Sequence, residues 1–359
     1  MGRFRSRGFA ILAVAMAAFG LAAPPSAAAA ESSFRVAWSI YAGWMPWGYA
    51  ADSGIMKKWA DRYGITVEVK RVDSYLDSIN QFTDGAFDGC AMTNMDALTM
   101  PAAAGVDSTS LLVGDFSSGN DGIVLKNATR LQDIAGRRVL LVKFSVSHYL
   151  LARALESAGL GEGDVTLVDT SDADIVKAFG GSPEAQAVVT WNPQLADVQR
   201  VPGASLVFDS KQIAGEIIDM MVVNTKTLSE HPEFGKALAG AWYEVLARMR
   251  QRSAEGAAAI AAMAAASGTD VEGFRAQLRG TWMFYGADEA AFFAGNRDLV
   301  TTMDRVRKFS FDHGLLGKGA ASADAVGIRF PDGTVLGNAD NVKLRFSDEY
   351  MKLAADGKL

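Results

Sequence analysis

Short runs of β-branched and apolar residues alternate along this chain with longer amphipathic stretches, the pattern of a mostly parallel sheet whose strands are joined by crossover helices. The pattern predicts strands at 34–40, 65–72, 87–93, 109–113, 122–126, 138–144, 165–169, 185–190, 205–208 and 219–224. Helices are predicted at 46–63, 75–84, 96–104, 147–158 and 172–179, followed by a largely helical region over 229–313. The Ala-rich piece 254–266 favours helix and reads as an exposed one. Residues 320–359 carry Pro331-Asp-Gly-Thr334 and Gly337-Asn338 and read as a turn-rich wrap over the surface.

Two polar turn clusters divide the pattern. Gly114 to Gly122 separates two apolar strands, and Gly215 to Asp219 leads into the last strand before helices take over. A chain that leaves one domain at the first cluster and returns at the second gives a discontinuous domain one, 31–122 and 219–359, and an inserted domain two, 123–218. The length beyond residue 30, about 330 residues, exceeds what one core usually supports, which agrees with two domains.

The first thirty residues stand apart. Arg3, Arg5 and Arg7 precede an apolar run from Phe9 to Ala22, then Pro24, Pro25 and an Ala-rich tract. That order reads as a secretory signal peptide, with cleavage near Glu31; an uncleaved membrane anchor is the alternative, disfavoured by the short apolar run. No Cys follows it to carry a lipid. The single Cys in the chain, Cys90, lies in an apolar run and reads as a small buried hydrophobe. A formal charge of −6, with 21% charged residues of both signs spread along the chain, offers no basic surface for nucleic acid or an anionic membrane.

In open α/β sheets ligands bind beyond the carboxyl ends of strands, so those ends locate the chemistry. The stretch 38–54 follows the first strand and carries three Trp and two Tyr among glycines and Pro46. Rings on such a turn suit a flat or cationic small molecule. Trp38 itself lies within the strand, leaving Trp44 and Trp47. Other strand ends offer Asp73 and Tyr75, Asn94 and Asp96, Asn120 and Asp121, Ser145 and Ser147, Trp191 and Asn192, and Glu216 and Asp219. Should they converge, Asp96, Asp121, Glu216 and Asp219 with Trp44, Trp47 and Trp191 form an acidic aromatic box for a cation or a planar donor-rich molecule. Each has a structural alternative: a helix cap for Asn94 or Asp96, a turn for Asp121, a core lid for Trp191, solvated loop charges for Glu216 and Asp219. Ser145 and Ser147 beside Lys143 keep an anion site open. No nucleophile elbow, phosphate loop or metal-ligand spacing is present, and of the three His, His231 and His313 read as helix-end residues and His148 as a first-turn residue. Neither an enzyme nor a cofactor or metal protein is indicated.

These residues carry a resemblance. Trp44-Met-Pro-Trp-Gly48, the block from Phe87 to Leu98 and the segment Ser147 to Leu160 resemble periplasmic substrate-binding proteins of the nitrate/sulfonate/taurine class of ABC importers, over nearly the whole chain after the leader. Trp44-Met-Pro-Trp-Gly-Tyr49, Thr93-Asn-Met-Asp-Ala-Leu98 and Gly119-Asn-Asp-Gly-Ile-Val124 look like the subgroup encoded with urea carboxylase and guanidine-degrading enzymes. The resemblance implies a two-lobed, type II-like periplasmic binding protein of the α/β class, each lobe a mixed, mostly parallel sheet flanked by helices, joined by a hinge. It further implies a monomeric periplasmic protein that carries guanidine or urea to an inner-membrane permease with its cytoplasmic ATPase. The alternatives are a sulfonate- or nitrate-type anion, a thiamine-pyrimidine precursor, or an exported enzyme of the same fold. Pyrimidine synthases of that fold use a Cys cluster, which a single Cys does not supply.

Overall fold

The computed structural model describes residues 1, 2 and 32–359; the leader read from the sequence lies, but for its first two residues, outside them. No helix among the described residues is long and apolar enough to cross a membrane. Residues 32–359 form one compact unit built on two sheets.

The larger sheet runs β13 (Val335–Leu336), β12 (Gly327–Arg329), β14 (Val342–Phe346), β4 (Ser108–Ser117), β10 (Ile218–Asn224), β3 (Gly89–Thr93), β1 (Ser32–Trp38), β2 (Ile65–Arg71), with β11 (Thr281–Met283) pairing β4 beyond this path. The smaller runs β7 (Thr166–Asp169), β6 (Arg138–Leu141), β8 (Ala187–Trp191), β5 (Asp121–Lys126), β9 (Ala204–Asp209). Pairings of β1 with β2 and β3, and of β6 with β7 and β8, are parallel; β10 and β5 run antiparallel to both their neighbours. Only two connections lead from sheet to sheet, β4 to β5 and β9 to β10, so the strands that flank them set the geometry between the sheets.

All ten expected strands are present; β3 and β8, inside their sheets, are buried throughout, while β2 and β7 at the sheet edges are partly exposed. Three other expectations need correction. The helix expected over 46–63 is two, Met45–Asp52 and Ile55–Arg62, parted at Gly54, whose φ of 78° stops the first. The Ala-rich helix Ala254–Ala266 is not simply exposed, since Ala259, Ile260, Met263 and Ala264 are buried. And the expected surface wrap adds β12, β13 and β14 to the larger sheet, because Val342, Leu344 and Phe346 alternate with Lys343 and Arg345 at the strand period and point into the core.

The larger core gathers about Trp47, stacked on Trp242 with centroids 4.8 Å apart. Cys90 is fully buried with its Sγ 3.7 Å from Ser78 Oγ, and burial pushes its thiol pKa up to about 12, so it is inert as expected.

Candidate functional site

Strand register brings the acidic residues together. In the antiparallel pair β4 and β10, Asp219 stands directly opposite Asp115, and on its other side it faces Thr93 of β3. The register of β4 and β10 shifts between Asp219 and Met220, a bulge that re-aims side chains at the strand end. Across the first connection Asp121 opens β5 directly opposite Trp191, the last residue of β8. Like charges facing one another across a ladder destabilise it, so the Asp115 and Asp219 pairing costs stability unless a proton or a cation lies between them.

Around these positions the two sheets enclose a narrow cavity, with about 10 Å³ open to the centre of a water molecule, roughly the space of one. Its walls are aromatic and acidic: Tyr41, Trp44, Tyr75 and Trp191 with Asp121, Asp219, Thr93, Val146 and Ile217. Trp44 and Tyr75 lie 5.5 Å apart, Tyr75 and Trp191 5.7 Å, and Tyr41 and Trp44 5.0 Å, a continuous arc of rings. Gly43 makes room for this packing, since a Cβ there would lie 2.4 Å from Asp115 Oδ2.

The carboxylates are held by hydroxyls and amides. Tyr41 Oη donates to Asp115 Oδ1 at 3.0 Å, and Tyr75 Oη to Asp96 Oδ2 at 2.6 Å, where Thr93 Oγ1 also donates at 2.8 Å. Asp121 accepts from Ser117 Oγ at 2.5 Å. Beside the cavity a hydrogen bond crosses between the two halves, the Tyr75 amide donating to Asp172 Oδ2 at 3.3 Å. Asp96, Asp115, Asp121 and Asp219 are all at most 2% exposed. Yet Oδ1 of Asp96 and Oδ2 of both Asp115 and Asp219 have no hydrogen-bond partner within the protein. Among the described residues every ion pair lies elsewhere. Burial without a cation raises the acids' pKa values, Asp96 to about 6 and Asp121 to about 7; Asp219 goes well up, from burial first and then the charges of Asp115 and Asp121.

Of the residues expected from the sequence, Trp44, Asp121, Trp191 and Asp219 line the cavity, and Asp96 lies one hydrogen bond behind its wall. The others sit differently. Trp47 is a core residue. We expect Trp47→Phe to lower unfolding stability by about 1–2 kcal/mol in a denaturant titration and to leave small-molecule affinity in this cleft unchanged. Asn94 straps two segments together, donating to Glu216 O at 3.1 Å and accepting from the Ile218 amide at 3.1 Å. Asn192 Nδ2 donates to Asn120 Oδ1 at 2.6 Å, and Asn192 Oδ1 accepts from the Ala196 amide. Ser145 caps the helix Val146–Ser157 by accepting from the Ser147 amide, while Ser147 Oγ is buried without a partner. Glu216 turns away from the cavity to Tyr149 Oη at 2.5 Å, Arg153 Nε at 3.0 Å and Arg305, so its charge is already matched. Tyr41, Tyr75 and Asp115 complete the site. Tyr75 stood among the strand-end residues and Tyr41 in the aromatic stretch after the first strand, whereas Asp115 lies inside a strand that runs on past the turn signal at Gly114.

The two sheets flanked by helices are a periplasmic binding protein fold. The alkanesulfonate-binding protein SsuA of Xanthomonas axonopodis pv. citri superposes with a TM-score of 0.66 at 16% identity, covering 83% of this chain and 99% of that one. The aliphatic sulphonate binding protein SsuA of Escherichia coli gives 0.65 at 17%, covering 80% and 94%. The chain belongs to the NMT1/THI5-like family, whose model matches residues 49–252. In sequence it is 23% identical over 186 residues to the taurine-binding periplasmic protein of Escherichia coli strain K12, a match that spans 50% of this chain and 56% of that protein.

Proposed function

We propose that this protein is a periplasmic solute-binding component of an ABC importer and that its solute is a small planar cation of the guanidinium type. The supporting observation is the set of four buried carboxylates with no protein cation among them. An ionised carboxylate only accepts hydrogen bonds, and its oxygens in this cleft lack donors that a guanidinium supplies on every edge. The ring arc of Trp44, Tyr75 and Trp191 gives such a cation electronegative faces to lie against. A sulfonate or nitrate entering here faces carboxylates and no Lys or Arg. Urea shares the guanidinium outline but brings an acceptor oxygen and no charge, which leaves the acids uncompensated.

The narrowness of the cavity favours a ligand of few atoms, admitted when the lobes part at the two connecting segments and held when they close. In this reading the domains divide as the sequence suggests, with 123–218 the moving lobe, and the closed form is what a permease and its ATPase receive. Isothermal titration calorimetry of the mature protein against guanidinium chloride, urea, taurine and nitrate tests this. We expect one equivalent of guanidinium to bind, urea at least ~100-fold more weakly, and taurine and nitrate not measurably. Taurine or nitrate binding more tightly than guanidinium refutes the cation reading.

A further inference from the structure

His148, Glu162 and His313 form a second cluster, away from the acidic cleft. Each offers one ligand atom, and the three atoms lie within 4.8 Å of one another. His148 sits in the first turn of the helix Val146–Ser157, and Glu162 begins the short turn Glu162–Asp164 that follows this helix. His313 comes from elsewhere, capping the long helix Arg297–Asp312, which packs against Asn94–Ala97 beside the larger sheet. We propose that this cluster is a binding site for a divalent transition metal, of the kind two imidazoles and one carboxylate give Zn²⁺.

Three features carry the assignment. His148 is 1% exposed, and its Nε2, 3.1 Å from Glu162 Oε2, is off a hydrogen-bonding line and left without a partner. A buried ring nitrogen aimed at a carboxylate and a second imidazole is a costly arrangement unless something joins them. His313 is oriented as a ligand: its Nδ1 lies 2.8 Å from Phe309 O, a carbonyl that can only accept, so Nδ1 carries a hydrogen and Nε2, 2.6 Å from Glu162 Oε1, is the ring nitrogen placed to ligate. In the metal-free protein a ring proton joins Nε2 to the carboxylate, and a metal ion takes that proton's place between the two. The third feature is donor chemistry, since imidazole nitrogen and carboxylate oxygen are ordinary zinc ligands and leave a fourth position open.

Ligation has one local consequence. The Phe144 amide lies 3.4 Å from His148 Nδ1, a contact longer than a normal N–H bond. Metal at Nε2 puts a proton on Nδ1, so that contact is given up and the Phe144 amide turns away. The site joins a ligand beside the larger sheet to two that belong with the smaller one, so bound metal ties the halves of the molecule together.

The test is calorimetry of tag-free, chelator-stripped mature protein with zinc chloride, without solute, so the result stands apart from the identity of the cleft's ligand. One equivalent of zinc is expected, with affinity falling at least tenfold in Glu162→Gln and in His313→Gln, both partly exposed and tolerant of change. Amide NMR should show Phe144 shifting on zinc addition. His231→Gln, which removes the imidazole beside Glu233, is expected to change nothing. Absence of zinc binding, or binding that survives Glu162→Gln and His313→Gln in folded protein, overturns the proposal.

Discussion

Replacing Asp219 with Asn is expected to weaken guanidinium binding at least ~100-fold and, in the same protein, to raise the melting temperature of the ligand-free form. The two effects have one origin. Asp219 faces Asp115 across the β4 and β10 ladder, 2% exposed, with one oxygen lacking a partner. A hydrogen bond to a charged group contributes about 1.5–3 kcal/mol, and the fork of a guanidinium makes two on one carboxylate. Losing that acceptor charge therefore costs about two decades or more of affinity. In the unliganded protein the same group must either hold a proton or stand ionised against Asp115 and Asp121, and an amide of the same shape escapes both costs. Asp121→Asn should act in the same direction, with its Ser117 bond surviving at the retained carbonyl oxygen. Calorimetry and a thermal melt on each variant separate function from folding, because a variant that merely misfolds loses both. Unchanged affinity in folded Asp219→Asn, or a lower melting temperature with intact binding, makes Asp219 structural and sinks the cation box.

How much of this was readable beforehand follows from where each signal lives. Strands buried on both faces write themselves as short apolar runs, so 89–93 and 187–191 were plain. Half-buried strands write an alternation, and 342–346 has one, but it is short and follows the Pro and Gly turns at 331–338, whose signal is stronger. Trp44 and Trp191 were legible because a strand end in such a sheet is a cleft wall. Trp47 was misjudged because it lies inside the helix Met45–Asp52 while Trp44 precedes it, and Trp242, the partner that claims it, is nearly two hundred residues away in sequence. Glu216 looked like a cleft acid until Arg153 and Arg305 claimed it, and neither arginine is near it in the chain. Asp115 was missed for a subtler reason. Its value comes from standing opposite Asp219, and cross-strand register is a tertiary fact. The His148, Glu162 and His313 cluster is hidden in the same way, its third member arriving from a helix more than a hundred residues on.

Affinity for guanidinium should rise as pH climbs from about 5, with protons released on binding. Asp96 and Asp121 hold their protons up to about pH 6 and 7 in the free protein, because burial opposes their charge. Guanidinium binds the ionised form, so below those values it must displace protons, and each one displaced steepens the affinity by about tenfold per pH unit. Calorimetry at pH 6 in buffers of differing ionisation enthalpy should therefore give different apparent enthalpies. The stability of the ligand-free protein must run the other way. Both acids have folded pKa values above the ~3.9 of an unfolded Asp, so between about pH 4 and pH 7 the folded state binds more protons than the unfolded one. Stability falls as pH rises through that window, and Asp219, raised well up by burial and by the charges of Asp115 and Asp121, carries the fall on above it. Below about pH 4 both states are protonated and the penalty is absent. Saturating guanidinium removes the slope, since the bound cation takes over the role of the protons, and Asp121→Asn should remove part of it without ligand. A ligand-free melting temperature that stays level or climbs from pH 4 to 7 in wild type and Asp121→Asn alike would mean the cleft carboxylates are already ionised and compensated, leaving no driving force for a cation to enter.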